Sequence, residues 1–205
     1  MKAFDELIEI CETLHGPKGC PWDKKQTFQS LRPHVLEEVH ELLDAIDDED
    51  FKGMAEELGD LLFQILFFAK LGDKGGHFTL EEIITTVNEK LVRRHPHVFG
   101  DAEARTPDEV ERHWEKVKKE EKKERKNLLE GIPKTLTGLA RAQKVIAKAL
   151  RSKLPLPKGE EETSAEVALG DQLLDLVIQA HGEKIDAESA LRTALKRYEA
   201  LLASY

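Results

Sequence analysis

Apolar residues recur at helical spacing in one segment after another, and the short stretches between these segments are rich in Gly, Pro and Asp. The first segment runs from about Lys2 to Leu14 and stops at HGPKGCPWD, where two glycines and two prolines impose a rigid loop. A second begins near Pro33, which suits a first helical turn, and continues through VLEEVHELLDAI to the acidic turn DDED. The third covers Phe51 to Leu71 and ends at GDKGG. Thr79, with Glu82 three residues on, forms a capping box for a fourth over LEEIITTVNEKLVRRH, which stops before Pro96. Thr106, Pro107 and Glu109 open a fifth, EVERHWEKVKKEEKKERKNLL. No segment alternates as a strand does, so the expected fold class is all-α, arranged like a four-helix bundle.

The chain also repeats itself. GDLLFQILFFAKLG, from Gly59, is echoed by GDQLLDLVIQAHGE, from Gly170, and each is followed by a second amphipathic segment. The copies are unequal: Glu57 lies three residues before Asp60, whereas Ala168 takes that place before Asp171. PLPKGEEETS, residues 155–164, has the composition of a shortened linker where the rest of the unit is missing. The first copy is therefore expected to hold the working site and the second to serve in packing. The mixed Lys/Glu run from Glu115 to Lys126 interleaves both signs and fits a solvated helix face, to which no chemistry is assigned.

Composition narrows the classes. With 205 residues, 35% of them charged, and no apolar run near 18 residues, a membrane span is not expected. The first residues, MKAFDELIEICETLHG, look like an amphipathic helix and not a signal peptide, which places the protein in the cytoplasm with Cys11 and Cys20 reduced. A net charge of -9 argues against general nucleic-acid binding.

Nine of the fourteen residues in EELGDLLFQILFFA are Leu, Ile, Phe or Ala, and Asp60 sits among them. Glu57 and Asp60 are three apart, as are Glu38 and Glu41 on the preceding helix, so each helix presents a carboxylate pair on one face. The short turn between the helices makes them antiparallel neighbours and can bring the pairs together. Because apolar residues surround it, Asp60 is expected to have little access to water. Four crowded, desolvated carboxylates call for a cation. Hard oxygen donors without a thiolate favour Mg²⁺, with Mn²⁺ as a substitute. Glu37 and His40 make the Glu-x-x-His pair of di-iron bundles, but they point away from the Glu38/Glu41 strip. On the fourth helix, Lys90 with Arg93 or Arg94 places cations on one face and Asn88 adds an amide, a set suited to phosphate if the helix lies near the acids. His95 and His97, flanking Pro96, are expected to cap or pack.

GCPWDKKQTFQSL, LEEVHELL, AEELGDLLFQILFFA, NEKLVRRHPHVF and LARAQK together resemble the MazG family of nucleoside triphosphate pyrophosphohydrolases. Its metal signature, Glu-Glu-x-x-Glu followed by Glu-x-x-Asp, is matched by Glu37, Glu38, Glu41, Glu57 and Asp60. The resemblance implies an all-α homodimer that uses Mg²⁺ to cleave a nucleoside triphosphate between its α and β phosphates. It also implies that Trp22, Asp23, Lys24, Gln26 and Thr27 lie near the nucleotide, that Lys90 and Arg93 contact phosphates, and that Glu37 or Glu38 is the general base. Residues 1–130 would form the catalytic domain and 131–205 a degenerate second segment, with a linker at about 151–164. A helical module that holds metal and nucleotide without turnover is the alternative reading, and a purely structural dimeric bundle a third.

Overall fold

The computed structural model describes residues 1–121, 127, 129–156 and 164–203, and among them every regular element is helical. The chain divides into two compact units, Met1–Glu121 and Lys122–Tyr205.

In the first unit α3, Phe51–Lys74, is the spine. Against it pack α1, Lys2–His15, α2, Arg32–Asp47, and α4, Leu80–Arg94, while α6, Pro107–Glu121, packs on α4. The face that α3 turns inward carries Gln64, Leu66, Phe67, Ala69 and Gly72, all buried. Around them lie Cys11 of α1 and Leu31 at the start of α2. The His15 ring stands edge-on to Phe67 at 4.3 Å, which seats α1 on the spine.

The turns are set by local chemistry. Residues 48–50 reverse the chain between α2 and α3, with Glu49 in the left-handed region at φ 55°. Asp50 then caps α3, its carboxylate accepting from the backbone N–H groups of Lys52 and Gly53 at 3.1 and 3.0 Å. Thr79 and Glu82 form the reciprocal capping box: Thr79 N donates to Glu82 Oε2 at 2.7 Å, and Glu82 N donates to Thr79 Oγ1 at 3.2 Å.

Some expectations need correction. α3 continues to Lys74, a turn beyond Leu71, because Gly72 stays helical with the Phe78 ring lying where a side chain would be. Pro96 begins a one-turn helix, α5, Pro96–Phe99, since its missing N–H costs nothing in a first turn. The fifth predicted helix is described as far as Glu121, and residues 122–126 of the Lys/Glu run lie outside the described residues. The apolar arc of α2 is only partly covered: Val35, Leu42 and Leu43 are half-buried, whereas Leu36, Val39 and Ile46 are exposed.

The second unit contains α7, Gly138–Arg151, α8, Ala165–Gly182, and α9, Ala187–Leu202, closed over Ile132, Ile146 and Val177. Gln143 of α7 ties down the α8–α9 turn, donating to Ile185 O at 2.6 Å and accepting from Ala187 N at 3.1 Å. Of the expected linker, residues 157–163 lie outside the described residues. Aligned on Gly59 and Gly170, α3 and α8 agree in burial at Leu58 and Leu169, both exposed, at Ile65 and Leu176, both exposed, and at Leu66 and Val177, both buried, but differ where Gln64 is buried and Asp175 exposed.

Replacing Thr79 by Ala should lower unfolding stability in urea by about 1 kcal/mol, seen as a lower midpoint at unchanged m-value. Because the two bonds are reciprocal, adding Glu82→Ala should cost less than the sum of the single effects.

Candidate metal centre

α2 and α3 run antiparallel through the short turn at residues 48–50, so Glu38 and Glu41 of one face Glu57 of the other. Each of these three carboxylates offers an oxygen within 4.8 Å of the other two. Glu38 and Glu57 are half-buried and Glu41 is exposed. Burial, followed by the negative charges of Asp60, Glu41 and Glu37, pushes the Glu38 carboxyl above its ordinary pKa. Burial and then Glu41, Glu38, Asp60 and Glu56 do the same to Glu57. Both shifts have the sign expected where like charges are held together without a counter-ion. The donors are all carboxylate oxygens, the hard set that suits a divalent cation.

Asp60 acts on both of these groups, but it is exposed and lies outside the 4.8 Å set. The expectation that it is shielded from water therefore fails. α3 is covered only on the side facing α1, α2 and α4, and its outer side, with Leu58 55% and Ile65 48% exposed, is open. Glu37 is exposed one position before Glu38, with its Oε2 3.8 Å from Nδ1 of His34.

Gln64 was not among the predicted site residues. It is buried, at 8% exposure, and its side chain hydrogen-bonds to Glu38, opposing the upward shift of that carboxyl. Its Oε1 is buried without a partner. On α3, Glu57, Gln64 and Phe68 fall within about 40° of one another around the axis. The sequence signal for Gln64 is a lone amide in an apolar run, seven residues after Glu57 and four after Asp60.

The loop before α2 is ordered by its own polar groups. Lys24 Nζ donates to Pro17 O at 3.0 Å, and Gln26 Nε2 donates to Trp22 O at 3.1 Å. Thr27 and Ser30 exchange two bonds, Thr27 N to Ser30 Oγ at 2.9 Å and Ser30 N to Thr27 Oγ1 at 3.1 Å. Asp23 is buried, and Trp22 stays half exposed with its ring edge-on to His34 at 5.6 Å. Lys24, Gln26 and Thr27 thus serve the loop, and Trp22 has a ring face available at the surface.

On α4, Asn88 is exposed and Lys90 half-buried. Arg93 and Arg94 both bind Glu121 of α6, at 2.7 and 2.6 Å. Glu121 belongs to the Lys/Glu run expected to form a solvated face, but its side chain is only 17% exposed between the two arginines. Its two arginine partners hold its carboxyl down at about 2. His95 caps α4 through Nδ1 and Leu91 O, 2.7 Å apart, and meets the Trp114 ring edge-on at 5.1 Å.

Residues 26–99 match the family model for the MazG nucleotide pyrophosphohydrolase domain. The chain is 37% identical over 213 aligned residues to the nucleoside triphosphate pyrophosphohydrolase/pyrophosphatase MazG of Thermotoga maritima, covering 95% of this chain and 82% of that protein. It is 46% identical to the nucleoside triphosphate pyrophosphohydrolase of Escherichia coli over 71% of its own length, and 48% identical to the uncharacterized protein YabN of Bacillus subtilis over 69%. It spans 56% of the first of these two proteins and 29% of the second. A matching domain model, and 37% identity to a relative covered over 82% of its length, place the chain in the MazG nucleotide pyrophosphohydrolase family.

Proposed function

We propose that this chain is a Mg²⁺-dependent nucleoside triphosphate pyrophosphohydrolase, with Mn²⁺ as a substitute ion. It would cleave ribo- or deoxyribonucleoside triphosphates between the α and β phosphates, non-standard nucleotides included, to the monophosphate and pyrophosphate. The observation that carries this reading is the set formed by Glu38, Glu41 and Glu57, three carboxylates within 4.8 Å whose mutual repulsion a divalent cation would relieve. The names of the Thermotoga maritima and Escherichia coli relatives support it.

Glu38, Glu41 and Glu57 would hold the ion, with Asp60, one turn beyond Glu57, as the fourth acid of the set. A Mg²⁺ ion held there would supply positive charge to the phosphate chain and would make the attacking water more acidic. Glu37, next to Glu38 and outside the ligand set, takes the water's proton on its carboxylate. Lys90, Arg93 and Arg94 grip the phosphates, with Asn88 as a further donor. Trp22 offers a stacking face to base or sugar, on the loop shaped by Asp23, Lys24, Gln26 and Thr27. The exposed apolar residues Leu36, Val39, Leu58 and Ile65, on two helices that carry the site, favour a homodimer. The net charge of -9 disfavours nucleic acid as a partner. No helix among the described residues is long and apolar enough to cross a membrane, which agrees with a cytoplasmic placement.

Incubation with single nucleoside triphosphates and Mg²⁺ should release pyrophosphate, and release of orthophosphate alone would rule out the proposed bond. Glu41→Ala should lower kcat/KM by more than about 100-fold, exceeding the loss usual for groups that only orient a metal ligand.

The raised carboxyls of Glu38 and Glu57 also fix a pH dependence. Above their folded pKa values both states of the chain are ionised there, and only the folded state bears the repulsion. As pH falls through those raised values toward the ordinary range near about 4.3, the folded state takes up protons first and this repulsion is relieved. Mg²⁺ competes with the same protons. The Mg²⁺-induced rise in Tm should therefore be larger at pH 7.5 than at pH 5, and Glu57→Gln should raise the Tm of the metal-free protein at pH 7.5 while reducing the rise.

A further inference from the structure

We propose that Glu121 is a positioning residue, whose carboxylate holds Arg93 and Arg94 together as a preformed fork for the phosphate chain of the substrate. The inference rests on the reading of those arginines as phosphate contacts.

Arg93 and Arg94 are consecutive on α4, so their side chains leave the helix about 100° apart. Two adjacent guanidinium groups also repel each other. Left alone, they would diverge into water. Glu121, 28 and 27 residues further along the chain and on a different helix, gathers them. One oxygen serves each arginine: Oε1 accepts from Arg93 Nε at 2.7 Å and pairs with its Nη2 at 2.7 Å. Oε2 accepts from Arg94 Nε at 3.2 Å and Nη2 at 2.6 Å. Such charge-assisted, two-point contacts fix the plane of a guanidinium as well as its position.

Charge and donor number remain available after this clamping. Two cations and one anion leave a net positive charge. A guanidinium has five N–H donors, and among the described residues Glu121 uses only the Nε and Nη2 side of each. The Nη1 edges are left for a second anion. The clamp is also layered in depth, with the Glu121 side chain 17% exposed and that of Arg93 52%. The Glu121 carboxylate and the Arg94 side chain, 21% exposed, thus support a fork whose Arg93 arm reaches solvent. Because the two arginines hold the Glu121 carboxyl near 2, it stays ionised at any pH at which a phosphate substrate carries its full charge.

A carboxylate that merely joined α6 to α4 would be a staple, and one that competed with phosphate for the arginines would be an inhibitor. The test compares Glu121→Gln, which keeps the shape and removes the charge, with Glu121→Asp, which keeps the charge on a shorter arm. Inorganic pyrophosphate is the probe for the fork, as a competitive inhibitor without base or sugar, and the Mg²⁺-induced rise in Tm reports separately on the metal set. Glu121→Gln should raise both KM and the pyrophosphate inhibition constant roughly tenfold, the loss expected for a charged hydrogen bond, with kcat changed less and the Mg²⁺ effect intact. Glu121→Asp should fall between it and the parent protein, and it carries the test alone if Glu121→Gln does not fold. A lower Tm with KM and pyrophosphate inhibition unchanged overturns the proposal in favour of a staple. A lower KM overturns it in favour of competition. If the double variant Arg93→Ala, Arg94→Ala leaves KM and pyrophosphate inhibition untouched, the arginine assignment fails and the role of Glu121 fails with it, whereas pyrophosphate release from the parent protein would leave the activity itself standing.

Discussion

Repulsion among Glu38, Glu41, Glu57 and Asp60 is the constraint around which the N-terminal unit is organised. Two antiparallel helices hold three of these carboxylates within 4.8 Å, and charge alone would drive the helices apart. The opposing forces come from places with no chemical role. Asp50 caps α3 immediately after the turn, and Leu66 and Phe67 bury the inner face of α3. Gln64 offsets part of the charge locally by hydrogen-bonding to Glu38. Rigid packing and unfavourable charge thus meet on one helix, which fits the proposed cation site.

The C-terminal end of α4 presents the same physics with the signs reversed. Arg93 and Arg94 are like charges brought together by sequence adjacency, and Glu121 lies between them. The difference lies in where compensation comes from. The arginines find theirs in Glu121, whereas among the described residues the relief given to the Glu38 carboxyl comes from Gln64. An internal partner suits a site that must keep its geometry before ligand arrives, and an uncompensated cluster suits one whose ligand is itself the counter-charge.

Much of this was legible in the sequence because it depends on short-range spacing. The i,i+3 pairs Glu38/Glu41 and Glu57/Asp60, the Thr79–Glu82 box and the turn at residues 48–50 are each set by a few neighbouring residues. What could not be read depends on long-range packing. The exposure of Asp60 follows from which sides of α3 its neighbours cover, and an apolar run does not encode that. Glu121 sat in an interleaved Lys/Glu run with every mark of a solvated face, and its partners lie 27 and 28 residues away. Gln64 was visible only as an exception to a pattern.

α8 matches α3 in burial with Leu169, Leu176 and Val177 in the places of Leu58, Ile65 and Leu66, yet Ala168 stands where Glu57 does. The chain therefore contains its own comparison: two helices of similar sequence, one bearing a carboxylate pair at Glu57 and Asp60 and the other with Ala168 in place of the first acid. With the carboxylates as the proposed cation site, divalent cation concentration would couple thermodynamically to the first unit, and the second lacks the paired acid through which such coupling would act. The free cation level would then set the relative stability of the two halves of one polypeptide, with the C-terminal half as the fixed point.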